Sequence, residues 1–385
     1  MPLRIAMIVG ESSGDQLAAK LMPALSDHFA PDRIEWIGVG GERMASLGFQ
    51  SLFPLSDIAV MGIFPVLARL PLILRRIAET SDAVIRSRPD VLVIIDSPDF
   101  THRVARRVRS VLPELPVVDY VSPTVWAWRP GRARRMRAYV DHVLALLPFE
   151  PAIHRRLGGP ECTYVGHPLT ERLSELRPSE AETAERASRP ERLLVLPGSR
   201  RSEIRRLMPV FGETVRRLSE HVSGSLEVIL PAVSHLREEI TTLSTDWEVK
   251  PELVFGERAK LEAFRTARVA LAASGTVTLE LALAAIPMVV AYKVSFLEGQ
   301  LRHVIRVPSI VLPNLVLGKN LIPEHIQAEC NPEQLTRDLL PLFFDAAARE
   351  AQLDGFQRLE SLMTTGIRSP SQISAAIIAR LIKRQ

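Results

Sequence analysis

Cysteine is nearly missing from this chain: Cys162 and Cys330 are the two among 385 residues. Such a pair builds no disulfide framework and no metal-ligand spacing, and a reducing cytoplasm suits it. The histidines are scattered without ligand spacing and no D-x-D triplet occurs, so no metal and no other cofactor is expected. No uninterrupted apolar run approaches the roughly 18–20 residues that cross a bilayer, which excludes an integral membrane protein as the expectation. Signal-peptide features are lacking too. Met1 leads almost at once into Arg4-Ile5-Ala6-Met7-Ile8-Val9, expected as a first core strand.

Lysine is also scarce. It occurs only at Lys20, Lys250, Lys260, Lys293, Lys319 and Lys383, so arginine supplies nearly all the basic charge behind the net charge of +4. Arginine's planar fork of donors matches phosphate, although arginine-favouring codon usage gives the same excess. From His102 through Arg137 there are nine arginines, against Glu114 and Asp119 alone. Solvated helix faces account for such a run, and a face turned to anionic phospholipid is the sharper alternative. A nucleic-acid-binding protein would be equally basic, but its character would be a salt-sensitive hold on phosphates, and it would leave the anion-binding loops described below unexplained.

What is present reads as an α/β chain. A 46% hydrophobic and 24% charged composition is globular, and the length fits two domains. Short apolar runs at Ile5–Val9, Ile34–Val39, Val91–Ile95, Val117–Tyr120, His142–Leu146 and Thr163–Val165 alternate with helical patterns. A polar stretch from Thr170 to Glu191 then reads as a helix end and linker, and the rhythm resumes at Leu193–Leu196, Leu226–Leu230, Val269–Ala272 and Met288–Ala291. Two successive βαβ series predict two Rossmann-like, doubly wound domains, residues 1–170 and 190–345, facing each other across a cleft. Residues 346–385 read as helices that pack back on the first domain or on a partner protomer.

Chemistry-bearing residues cluster at the strand ends. After the first strand comes Gly10-Glu11-Ser12-Ser13-Gly14-Asp15, a small-residue turn that lets a ligand approach the following helix N-terminus. Its spacing is not the dinucleotide fingerprint, and Glu11 puts a carboxylate on the cleft side. The third strand ends in Asp96-Ser97-Pro98-Asp99-Phe100. Asp96 at the strand tip is the better general base and Asp99 the better N-cap, with the roles open to exchange. In the second half, Gly198-Ser199-Arg200 and Ser274-Gly275-Thr276 both join a strand to a helix and form phosphate-receiving corners. Glu280, four residues after Thr276, shares its helix face and can accept the two hydroxyls of a ribose.

Two apolar features remain. The stretch Val60–Arg76 contains Val60, Met61, Ile63, Phe64, Val66, Leu67 and Leu70, with Pro65 and Pro71 expected to break any helix. Part would pack in the core, and the rest would form a greasy patch for acyl chains or a membrane, with Arg75 and Arg76 meeting lipid phosphates. Trp126 and Trp128 lie two apart in a loop, where they would pack on the core or on a sugar or acyl chain.

Taken together, GESSGD, DSPDF, SPTVWAWR, VGHP, LPGSR, SGTVTLE and LPNLVLGKNLIPEHIQ resemble, in order and approximate spacing from Gly10 to about Gln327, the lipid-A-disaccharide synthase family. The resemblance implies a GT-B fold and transfer of 2,3-diacylglucosamine from UDP-diacylglucosamine to diacylglucosamine 1-phosphate, with inversion to a β-1,6 linkage. It makes Asp96 the candidate base and Glu11 the cleft glutamate. Ser199, Arg200, Ser274, Gly275, Thr276, Glu280, Asn314 and Gln327 become donor-site residues. It further implies peripheral attachment to the cytoplasmic face of the inner membrane and a homodimer that can exchange C-terminal segments. A UDP-N-acetylglucosamine 2-epimerase or another GT-B enzyme is the alternative. Such an enzyme would share the phosphate corners but would not need the greasy stretch or the tryptophan loop. Ser12 stands where alanine is common in the family.

Overall fold

The apolar runs form two separate parallel sheets in the computed structural model, which describes residues 2–59, 63–188, 191–222, 225–294 and 307–382. One unit holds Met1–Pro168 with Thr365–Gln385, and the other holds Leu169–Thr364. In the first, β1 (Leu3–Val9), β2 (Ile34–Val39), β3 (Val91–Ile95), β4 (Val117–Tyr120), β5 (His142–Ala145) and β6 (Glu161–Tyr164) lie in the order β2-β1-β3-β4-β5-β6. In the second, β7 (Arg192–Leu196), β8 (Glu227–Ala232), β9 (Glu252–Phe255), β10 (Val269–Ala273), β11 (Met288–Tyr292) and β12 (Glu324–Ile326) lie as β12-β11-β10-β7-β8-β9. Each order reverses once, between β1 and β3 and between β7 and β10. At such a switch point neighbouring crossovers depart to opposite faces and leave a crevice at the strands' carboxyl ends.

Strand alternation fills both faces of the first sheet. Ile5, Met7, Val9, Val93 and Ile95 pack against the helix Ser12–Phe29, while Ala6, Ile8, Leu92 and Ile94 pack against Phe100, Val104 and Val108 of the helix Pro98–Val111. A parallel sheet covered on both sides needs this uninterrupted apolar run. In the second unit Ile204, Leu207, Met208, Phe211, Val215 and Leu218 form one buried stripe of the helix Arg201–Ser219 over Leu193 and Val195.

The C-terminal helices divide between the units. Ala346–Met363 belongs to the second, whereas Pro370–Ile382 lies on the first, with Ala375 and Ile378 buried against the Ser12–Phe29 face. The polar stretch read as a linker is packed as well. Its helix Glu180–Ser188 sits on the second unit, where Arg186 donates to the carbonyls of Phe264 and Arg265, each at 2.6 Å.

The prolines of the greasy stretch do not break it. One helix runs from Ile63 to Ser87 through Pro71. Pro65 falls in the first turn, where a missing N–H costs nothing, and Pro71 removes one backbone bond from a helix held by burial of Ile77, Thr80, Ser81 and Val84.

Candidate functional site

At the first switch point, register pairs Val9 with Ile95, so the turns that follow them start side by side. Gly10 has no room for a side chain: a Cβ there would stand 2.0 Å from that of Ser97. Asp96 and Ser97 both adopt left-handed backbone, at φ +58° and +45°. Non-glycine residues hold that conformation only when neighbours enforce it. Here Thr101 Oγ donates to the Asp96 carbonyl at 2.7 Å, and the Asp96 amide donates to the Tyr120 carbonyl at 3.2 Å. The result lifts the Asp96 carboxylate off the strand tip and fixes it. Ser13 Oγ donates to Oδ2 at 2.8 Å and the Ser97 amide to Oδ1 at 2.7 Å. Glu11, half-buried, occupies the N-cap position of the helix Ser12–Phe29 on the neighbouring turn.

Asp99 is a correction. Ser97, not Asp99, is the N-cap of Pro98–Val111, and the Asp99 carboxylate is 76% exposed and paired with Arg132 at 3.0 Å. The structure therefore separates two carboxylates that are near neighbours in sequence. Asp15 is structural: buried, it accepts from the amides of Gly41, Arg43 and Met44 and caps the short helix Glu42–Ala45.

Beside this edge, the Ser122–Trp128 loop is tied to the helix Glu150–Leu157 at two points. Ser122 Oγ lies 2.9 Å from His154 Nε2, and Trp126 Nε1 donates to Glu150 Oε1 at 3.2 Å, with its ring edge-on to Phe149. Glu150 also accepts from the Leu147 amide at 3.0 Å. Burial raises its carboxyl to about 7, against the opposing pull of these donors. Burial likewise lowers His154, which favours its neutral ring. Trp126 is thus a half-buried wall of the loop, while Trp128 is 40% exposed beneath the Arg129 guanidinium.

At the second switch point Ser199, Arg200, Ser274, Gly275, Thr276 and Glu280 line one cavity of about 740 Å³, together with Glu203, Glu257 and Lys260. The two corners differ. The amides of Ser199 and Arg200 point at Glu203 Oε2 from 3.3 Å each, and Arg200 Nη1 pairs with Oε1 at 2.8 Å. Glu203 is buried in the first turn of Arg201–Ser219, so its own carboxylate satisfies that helix end. The Arg200 side chain, 57% exposed, remains directed to the cavity. At the other corner Ser274 Oγ donates to the Ile310 carbonyl at 2.7 Å, and Gly275 at φ +156° opens the turn into the helix Val277–Leu283. Glu280, one turn in, faces Lys260 Nζ at 2.5 Å.

Asn314 and Gln327 do not line this cavity. Asn314 is buried, accepts from the Leu321 and Ile322 amides and donates to the Ile322 carbonyl, so it clamps a loop. Gln327, beyond β12, accepts from the Val294 amide at 2.8 Å. In the greasy stretch Val60 and Met61 lie outside the described residues, and Ile63, Phe64, Val66 and Leu67 are placed only by their helical backbone. Leu70 and Leu74, one turn apart, are 38% and 48% exposed. Arg76 is not available to a phosphate as expected: it pairs with Asp57 and Glu79, both at 2.6 Å, and lies over the Phe53 ring.

Two parallel six-stranded sheets with small-residue turns at both switch points define an α/β protein of the GT-B class. Solved structures agree. The UDP-GlcNAc 2-epimerase of Neisseria meningitidis bound to UDP-GlcNAc superposes with TM-score 0.64 over 100% of both chains at 11% identity. A kitacinnamycin glycotransferase does so with TM-score 0.63 over 99% of this chain and 100% of its own at 16% identity. At these identities the likeness shows the fold. Sequence relationship goes further, and the chain belongs to the lipid-A-disaccharide synthetase family, whose model matches residues 5–378. It is 55% identical over 382 residues to the lipid-A-disaccharide synthase of Rhodopseudomonas palustris strain HaA2, covering 99% of this chain and 97% of that one. The corresponding enzyme of Nitrobacter hamburgensis is 54% identical over 376 residues, 97% of this chain and 94% of its own.

Proposed function

We propose that the chain transfers 2,3-diacylglucosamine from its UDP derivative to 2,3-diacylglucosamine 1-phosphate, forming the β-1,6 disaccharide with inversion and releasing UDP. Family membership over residues 5–378 carries this reading. The second unit's cavity supports the donor half, because it gathers two strand-to-helix turns, an exposed arginine and a carboxylate one turn deep. Glu280 would accept from the ribose hydroxyls, while Arg200 and the turn at Gly275–Thr276 would hold the diphosphate and the charge that grows on it as UDP departs. Asp96 would take the proton of the acceptor's 6-hydroxyl. That oxygen then bonds to the anomeric carbon as the bond to the phosphate oxygen breaks. Ser13 and the Ser97 amide hold the Asp96 carboxylate in place for the transfer.

The decisive measurement is UDP release in detergent with both purified lipid substrates. Turnover that requires both lipids is expected. No UDP with both present would overturn the reading, and UDP-N-acetylglucosamine epimerised without an acceptor would select the 2-epimerase alternative.

No helix among the described residues is long and apolar enough to cross a membrane. The exposed Leu70 and Leu74 and the exposed Arg75 support peripheral attachment to the inner membrane's cytoplasmic face through the helix Ile63–Ser87. Replacing both leucines by serine is expected to lower co-flotation with anionic vesicles by about tenfold, from the apolar area removed. Equal flotation of the variant would place attachment elsewhere. The homodimer belongs to the same proposal: a partner's helix Pro370–Ile382 would cover the face that this chain's own helix covers.

A further inference from the structure

Lys260 is one of the chain's few lysines and lies in the helix Glu257–Thr266, away from every turn that marks the donor cavity in the sequence. Its ammonium nevertheless enters that cavity, 2.5 Å from Glu280 Oε2. The contact is electrostatic more than directional, for that oxygen is buried with no hydrogen-bond donor aligned on it. Lys260 is itself restrained. Its aliphatic stem leads the ammonium past the Phe264 ring, at 5.3 Å from the centroid, and Glu257 Oε2 lies 3.9 Å away on the other side. Both partners are largely buried, with Lys260 24% and Glu280 16% exposed. A pair held this closely in a half-buried wall has less freedom than one in bulk water.

The geometry points to Lys260 as the positioning residue for Glu280: it holds one carboxylate oxygen against the wall and presents the other, Oε1, to the ribose diol. This rests on the donor-site reading above and adds to it which oxygen binds and what aims it. Without the ammonium, Glu280 loses its fixed rotamer, so the cost falls on recognition of the sugar hydroxyls and not on the phosphates.

Calorimetric titration of the full chain with UDP and with 2′-deoxy-UDP tests this. The wild-type chain is expected to prefer UDP by about tenfold to a hundredfold, the value of a hydrogen bond to a charged group. In Lys260→Met that preference is expected to fall close to one, with 2′-deoxy-UDP affinity nearly unchanged, and Lys260→Arg should restore much of it. Should Lys260→Met fail to fold, Lys260→Gln is read in the same way. Equal loss of both ligands, with the preference kept, would place Lys260 on the phosphates and overturn the inference. So would two unchanged affinities. A wild-type chain that binds neither nucleotide overturns the donor-site reading and this inference together, whereas a wild type that binds UDP without preferring it overturns the diol contact and this inference but leaves the phosphate part of the donor-site reading standing.

Discussion

Asp96→Asn is expected to lower turnover by about 10²–10⁴-fold, the usual loss when a general base is removed, with little change in thermal stability. The amide keeps an oxygen that can accept from Ser13 or Ser97, so the left-handed turn and its contacts survive. What disappears is the ability to take a proton. KM for the acceptor should move far less than kcat, because the loss is confined to the transition state. Asp99→Asn is the matched control, since that carboxylate is 76% exposed and engaged with Arg132. Its turnover should stay near wild type. Near-normal turnover in Asp96→Asn would move the base to Glu11, on the adjacent turn.

The second large effect is a dependence on pH. Glu150 is buried, and its carboxyl is raised from 4.5 to about 7 chiefly by desolvation. Folding therefore favours its protonated form. The contribution is fully present below about pH 4.5, declines as pH rises because the unfolded chain ionises first, and is gone above about pH 7. The span is about 3 kcal/mol. Glu150→Gln fills the same space without charge and removes this penalty. The difference in unfolding free energy between variant and wild type should then shift by about 3 kcal/mol in the variant's favour from pH 4.5 to 8. Comparing the two proteins cancels the other carboxylates to first order. A difference that does not change with pH would mean that water reaches Glu150.

The interior strands are legible as apolar runs because a sheet covered on both faces leaves them no alternative. β9 and β12 escape that reading. They are sheet-edge strands, Glu-Leu-Val-Phe and Glu-His-Ile, too short to stand out. The small-residue turns are legible for the same reason that they matter: glycine and serine at a strand end have few other uses. Glu203 was also within reach, since an acid three residues after a helix N-cap is a local signal. The serine contact to Asp96 and the lysine contact to Glu280 are different. They join residues 83 and 20 positions apart, through a strand register and a helix approach that no local spacing encodes. Asn314 shows what a motif leaves out. A motif nominates it as a donor-site residue, but only its contacts reveal that it fastens a loop through Ile322.

Because the helix Pro370–Ile382 completes the core of the first unit, the order of synthesis is not the order of completion. A growing chain makes all six strands of that sheet, then the whole second unit, before the segment that covers Met22, Leu25 and their neighbours emerges. The second unit, contiguous in sequence, can close while it is being made. The first must wait with an apolar face open, the state in which chains associate wrongly. The earliest part of the molecule to be translated is the last to be finished.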